Sequence, residues 1–185
     1  MSTSSFGPSA LATPANAITM ARVVALPVVI LLIVGTGTEW QALALWFVLC
    51  ISDLADGWLA RRQGATRSGA FLDPLADKVL VLGAMTALVA KGAMWWVPVS
   101  LIASREVAVS AYRSYVGRRG ISVPARLSGK VKTWVQAIAV GLAIVPSSSE
   151  AYLAFVDVVV WSAVGMTLVT GVQYLREGRQ VVRAL

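Results

Sequence analysis

The chain has 185 residues, 57% of them hydrophobic and only 14% charged, where soluble domains carry about 25% charged residues. It contains no histidine and one cysteine, Cys50, which excludes imidazole bases, histidine metal ligands, an internal disulfide and a cysteine-rich zinc site. A net charge of +7 could suit nucleic acid, but the cations lie between long apolar runs. That pattern reads as the basic rim of a membrane protein, with no nucleic-acid partner expected.

In chain order, residues 1–15 are rich in Ser, Pro, Ala and Thr and read as a flexible cytosolic tail. Six apolar spans follow, at 18–35, 40–60, 69–90, 94–115, 130–146 and 151–175. Each has the length of a transmembrane helix, the first and fifth at the short end. They make one six-helix transmembrane domain over 16–176, followed by a cytosolic tail at 177–185. No basic residue precedes Arg22 and no small-residue cleavage site follows the first span, so that span is expected to be retained. Cys50 reads as a small core residue. The expected fold is an all-α integral membrane protein with six transmembrane helices.

Cation placement sets the expected orientation. Arg61, Arg62 and Arg67 lie in the second connection, and Arg118, Arg119, Arg126, Lys130 and Lys132 cluster around the fourth. Arg176, Arg179 and Arg183 close the chain, whereas the opposite connections carry only Lys91, balanced by Glu39 and Glu150. The positive-inside rule puts both termini in the cytosol of a multi-pass cell-membrane protein. Trp40, Trp95 and Trp96 then fall at the outer interface, where indoles anchor.

Four of the nine acidic residues stand in one run, Asp53-x2-Asp56-Gly57-x2-Ala60-Arg61-x7-Gly69-x3-Asp73-x3-Asp77. One Asp at mid-bilayer costs roughly 2.5–3.5 kcal/mol, so four need neutralising. On a helix Asp53 and Asp56 lie about 60° apart, with Gly57 and Ala60 on the same stripe. Asp73 and Asp77 are one turn apart on the third span, and Gly69 is one turn before them. The second and third spans form a hairpin that lets the pairs face each other near the cytosolic side. Asp53 lies roughly 12 Å below Arg61. Four such carboxylates suit two hard cations about 3.5–4 Å apart, the arrangement used in phosphoryl chemistry. Gly57, Ala60 and Gly69 leave room for a nucleotide or diphosphate to approach the backbone, and Arg61 at the mouth can grip phosphate oxygens. The bland alternative is a set of intramembrane salt bridges, Asp to Lys78 or Asp to Arg61.

These eight positions resemble the signature of the CDP-alcohol phosphotransferases, integral membrane enzymes of phospholipid synthesis. The resemblance runs from about Asn16 to Tyr174. It includes Asn16-x2-Thr19-x2-Arg22-x4-Pro27, the Gly69–Lys78 string, Arg105-Glu106 and Gly129-Lys130-x-Lys132-Thr133. The gap between Arg61 and Gly69 is seven residues, where many members have eight. The resemblance implies that Asp53, Asp56 and Asp73 bind a pair of Mg²⁺ or Mn²⁺ ions, with Asp77 both a ligand and the catalytic base. It implies that Gly57, Arg61, Thr66 and the Asn16–Thr19 turn contact the CDP moiety, and that the enzyme is a homodimer. With no histidine available, a carboxylate is also the natural acceptor for the hydroxyl proton.

The implied reaction moves a phosphatidyl group from CDP-diacylglycerol to glycerol 3-phosphate, releasing CMP on the cytosolic side. No signature position is Ser, Cys or His, so direct attack without a covalent intermediate is expected. Arg105, Arg113, Lys130 and Lys132 are candidates for the acceptor phosphate. The alternatives are that Arg105 pairs with Glu106 or an aspartate and that the lysines mark the interface. Arg118, Arg119 and Arg126 read as interfacial cations for anionic membrane lipids. Asp157 reads as a solvated or capped helix residue, and Gly165 and Gly171 as helix-packing positions. Acceptors such as phosphatidylglycerol or inositol phosphate are rival readings, and a cation transporter is a more distant one.

Overall fold

A computed structural model describes the backbone of residues 14–63, 69–118 and 127–183, with side chains at 17–53, 75–116 and 131–176. The described residues form six α-helices and no strand. They are α1 (Pro14–Val34), α2 (Glu39–Gln63), α3 (Gly69–Ala90), α4 (Trp96–Arg118), α5 (Leu127–Ile144) and α6 (Glu150–Arg183). The helices match the six apolar segments, with shifted ends. α1 starts inside the expected tail, and proline is tolerated in a first helical turn. α6 continues through the basic residues to Arg183, since Glu, Arg and Gln favour helix and only Gly178 interrupts them.

Most helices are apolar outside and partly polar inside. α1 exposes Met20, Val24, Val28 and Leu31 while burying Thr19, Arg22, Val29 and Ile33 on one helical stripe. Among the described residues α1 and α6 are long and apolar enough to cross a membrane, over Ala17–Val34 and Glu150–Arg176. Only 22% and 33% of their apolar windows are buried, so their apolar faces are not core faces of a soluble fold. Large apolar side chains facing outward make lipid the natural solvent. Val131–Ile144 in α5 is a shorter apolar segment.

The chain divides into two compact units, Met1–Lys91 and Gly92–Leu185. In the first, α1 packs against both α2 and α3. A Cβ at Gly83 of α3 would lie 2.9 Å from Leu26 Cδ1 of α1, so the bare glycine lets these two helices approach. The α1–α2 connection turns through Gly37 at φ 74°, a left-handed conformation that favours glycine. There Lys91 Nζ donates to Glu39 Oε1 at 2.8 Å and to the Gly35 carbonyl at 3.1 Å, placing a cation at the C-terminal end of α1. The Lys91 ammonium holds the Glu39 carboxyl below its ordinary value of 4.5.

In the second unit α6 packs against α4 and α5. Buried Val156, Val160, Ala163, Val164 and Thr167 form its inward stripe, and Asp157 is exposed as expected of a solvated residue. Trp40, Trp95 and Trp96 are exposed.

Candidate active site

Seven polar or charged residues are buried among the described ones: Thr19, Arg22, Glu106, Lys132, Gln136, Thr167 and Thr170. In a chain this apolar, buried ionisable groups are the first place to look for function. They gather in two clusters, one in each unit.

In the first unit the cluster joins three helices. Arg22 of α1 is 1% exposed and its Nη1 donates to Asp53 Oδ1 of α2 at 2.5 Å and to Asp77 Oδ1 of α3 at 2.7 Å. The two carboxylates thus converge on one nitrogen although they lie on different helices. Their side chains remain 40% and 30% exposed, which leaves them reachable from outside the unit. Among the described residues this cluster sets two carboxylates against one guanidinium. Hard carboxylate oxygens from separate helices are the donor set that Mg²⁺ or Mn²⁺ requires. Thr19 is buried on the Arg22 stripe. The side chains of Asn16, Asp56, Gly57, Ala60, Arg61, Gly69 and Asp73 lie outside the described residues, and so does Thr66.

In the second unit Glu106 of α4 is the hub. Its Oε1 accepts from Arg105 Nη1 at 3.0 Å and from Lys132 Nζ of α5. Arg105 Nη2 donates to Thr170 Oγ1 of α6 at 2.9 Å, and Gln136 Nε2 donates to Thr167 Oγ1 at 2.9 Å. All three helices are therefore tied by polar contacts in an otherwise apolar interior. Arg105 reaches α6 because position 171 is glycine: a Cβ there would lie 2.8 Å from Arg105 Nε. Gly171 is the packing position the sequence suggested, whereas a Cβ at Gly165 would meet nothing within 4 Å. Among the described residues this cluster sets two cations around one carboxylate.

Of the four acceptor candidates, the structure brings Arg105 and Lys132 together on Glu106. The Arg105–Glu106 pairing weighed as the alternative is present. Arg113 is exposed and makes no ion pair among the described residues. The Lys130 side chain lies outside them. Cys50 is half-buried on α2.

Sequence reasoning singled out neither Arg22 nor Glu106 as site residues. The signal for Arg22 was there: an arginine inside an apolar span, three residues after Thr19 and so on its face. Thr170 and Gln136 carried no comparable signal, because Thr and Gln alone in an apolar helix are common packing residues.

A helical chain with outward apolar faces and carboxylates converging from two helices has the features of a membrane enzyme. The family model for CDP-alcohol phosphatidyltransferase matches residues 12–169, and the chain belongs to that family. It is 42% identical to the "Probable phosphatidylglycerophosphate synthase" of Mycobacterium tuberculosis over 91% of this chain and 83% of that protein. It is 36% identical to the "CDP-diacylglycerol--glycerol-3-phosphate 3-phosphatidyltransferase" of Rickettsia bellii, covering 87% of this chain and 92% of the relative. The Bacillus subtilis protein of the same name is 33% identical, covering 91% and 96%.

Proposed function

We propose that this protein transfers the phosphatidyl group of CDP-diacylglycerol to glycerol 3-phosphate, giving phosphatidylglycerophosphate and CMP. The observation that carries the reading is the convergence of Asp53 and Asp77, from two helices, on one point. The names of the relatives support the choice of donor and acceptor.

Asp53 and Asp77 would hold divalent cations together with Asp56 and Asp73, which complete the signature. Mg²⁺ or Mn²⁺, when bound, would neutralise the donor diphosphate and stabilise the charge on departing CMP. Asp77 accepts the proton of the acceptor hydroxyl as that oxygen forms its bond to the β-phosphorus. The bond from that phosphorus to the CMP oxygen breaks with it, and CMP leaves with the electron pair. Arg61, Gly57, Ala60, Thr66, Gly69, Asn16 and Thr19 would bind the CDP end of the donor. In the second unit Arg105 and Lys132 would hold the acceptor phosphate. The two cations around Glu106 support an anionic ligand there.

The same reading takes all six helices as membrane-spanning, with both termini and the active site on the cytosolic side and a homodimer as the working form. Acyl chains of the donor would then stay in the leaflet while its headgroup enters. An acceptor screen tests the reaction. Purified protein with CDP-diacylglycerol and Mg²⁺ should release CMP with glycerol 3-phosphate, and much less with inositol phosphate, phosphatidylglycerol or serine. Preference for another acceptor would keep the transferase and change its product. No CMP release with any of them would overturn the reading.

A further inference from the structure

Arg22 ranks first by size among the fully buried side chains described, and it comes from a helix that supplies no carboxylate to the site. Its Nη1 lies 2.5 Å from Asp53 Oδ1 and 2.7 Å from Asp77 Oδ1. On the metal reading Asp53 and Asp77 would hold a divalent ion, and Arg22 Nη1 lies where their Oδ1 oxygens converge. One point cannot hold a nitrogen and an ion together.

We propose that Arg22 is a built-in counter-cation that competes with the divalent ion for Asp53 and Asp77. The inference rests on the metal reading given above. Two carboxylates brought to one point repel each other unless a cation lies between them. A guanidinium stays charged at every working pH, so the compensation does not depend on protonation. Because α1 packs on both α2 and α3, the arginine reaches the two acids from a third element. Its long side chain can withdraw from one carboxylate without moving either ligand helix. Two consequences follow. The three helices assemble around the acids before any ion binds, and the ion binds more weakly than four carboxylates alone would allow.

The test compares the full-length protein with Arg22→Met and Arg22→Gln, which remove the charge, and Arg22→Lys, which keeps it. Free Mn²⁺ is followed by its electron paramagnetic resonance signal, and thermal unfolding is measured with chelator and with saturating Mn²⁺. The neutral variants should bind Mn²⁺ tighter by about tenfold or more, because the ion no longer displaces a charge-assisted hydrogen bond. They should unfold at a lower temperature than the unaltered protein in chelator, and gain more from Mn²⁺. A neutral variant that folds only with Mn²⁺ gives the same result in stronger form. Arg22→Lys should stay within about threefold of the unaltered affinity if charge is what competes. Should neither neutral variant fold under any condition, that Lys result decides, and a loss of Mn²⁺ binding in it overturns the proposal. Unchanged or weaker Mn²⁺ binding in a folded neutral variant also overturns it, making Arg22 a permanent support for the ligands. If the unaltered protein binds no Mn²⁺ and its CMP release survives chelator, the metal reading fails and takes this inference with it. That outcome is separate from a change confined to the variants.

Discussion

Glu106→Gln should be the most damaging single substitution among the described residues of the second unit. The carboxylate it removes is 5% exposed and is shared by Lys132, 8% exposed, and Arg105, 12% exposed. Glutamine keeps the shape and one accepting oxygen but removes the negative charge that two buried cations share. Breaking a buried ion pair from one side costs about 3–5 kcal/mol. For a chain of this length that is a fall of about 6–20 °C in unfolding temperature.

The companion variant is Glu106→Gln with Lys132→Met, which removes the ammonium paired with that carboxylate and fills its space with an apolar chain. It should recover more than half of the lost stability, and the coupling between the two sites should have the sign that marks interaction. Intrinsic tryptophan fluorescence during heating, in one detergent at one pH, reads all four proteins of the cycle. Unfolding of Glu106→Gln within about 2 °C of the unaltered protein would refute the reasoning, as would simple additivity, because neither is compatible with a carboxylate carrying two buried cations.

Three further outcomes are expected. Asp77→Asn should cut CMP release by about 10²–10⁴-fold, as loss of a general base does, and near-normal turnover would put the base elsewhere. Gly171→Ala sets a Cβ 2.8 Å from Arg105 Nε and should push the guanidinium off Thr170. A displaced guanidinium would also lose the proposed acceptor phosphate, and loss of that charge-assisted contact, about 1.5–3 kcal/mol, should raise the glycerol 3-phosphate KM by about 10- to 150-fold with little change for the donor. Gly165→Ala, with nothing within 4 Å, is the matched control and should be neutral or slightly stabilising. The Glu39–Lys91 pair sets an acid dependence. Glu39 titrates below 4.5 in the folded chain, so its contribution is full above that pH and is lost as pH falls through the lower folded value. The stability gap between the unaltered protein and Lys91→Met should therefore shrink below pH 4.5, and a gap that persists or widens there would count against the pair.

Much of this molecule is legible in its sequence, for physical reasons that also mark the boundary. Runs of Val, Leu, Ile and Ala between polar connections fix where helices lie, since a backbone in lipid must satisfy itself. The four aspartates announce a site because no apolar solvent tolerates them unpaired. What spacing along one helix cannot give is the third helix. Asp53 and Asp77 were expected to meet through an α2–α3 hairpin, and they do converge, but α1 is the helix on which both α2 and α3 pack, and its Arg22 joins them. The helical tail of α6 was missed because basic residues were taken to end a span, although charge ends the membrane and not the helix. Glu106 was visible only as a partner for Arg105. That it also takes Lys132, 26 residues away, is a fact of packing.

Among the described residues the two clusters differ in their balance of charge, and that difference suits them to different ligands. One guanidinium against two carboxylates in the first unit leaves room for more positive charge. One carboxylate against two cations in the second leaves room for more negative charge. Arg105 sharpens the point, because its buried Nε has no hydrogen-bond partner among the described residues. Such a group costs about 1–3 kcal/mol unless a ligand satisfies it. A phosphate oxygen is the ligand that a buried, unsatisfied guanidinium N–H is suited to receive, and cations are what a carboxylate pair is suited to receive. The proposed transfer would use both kinds of site.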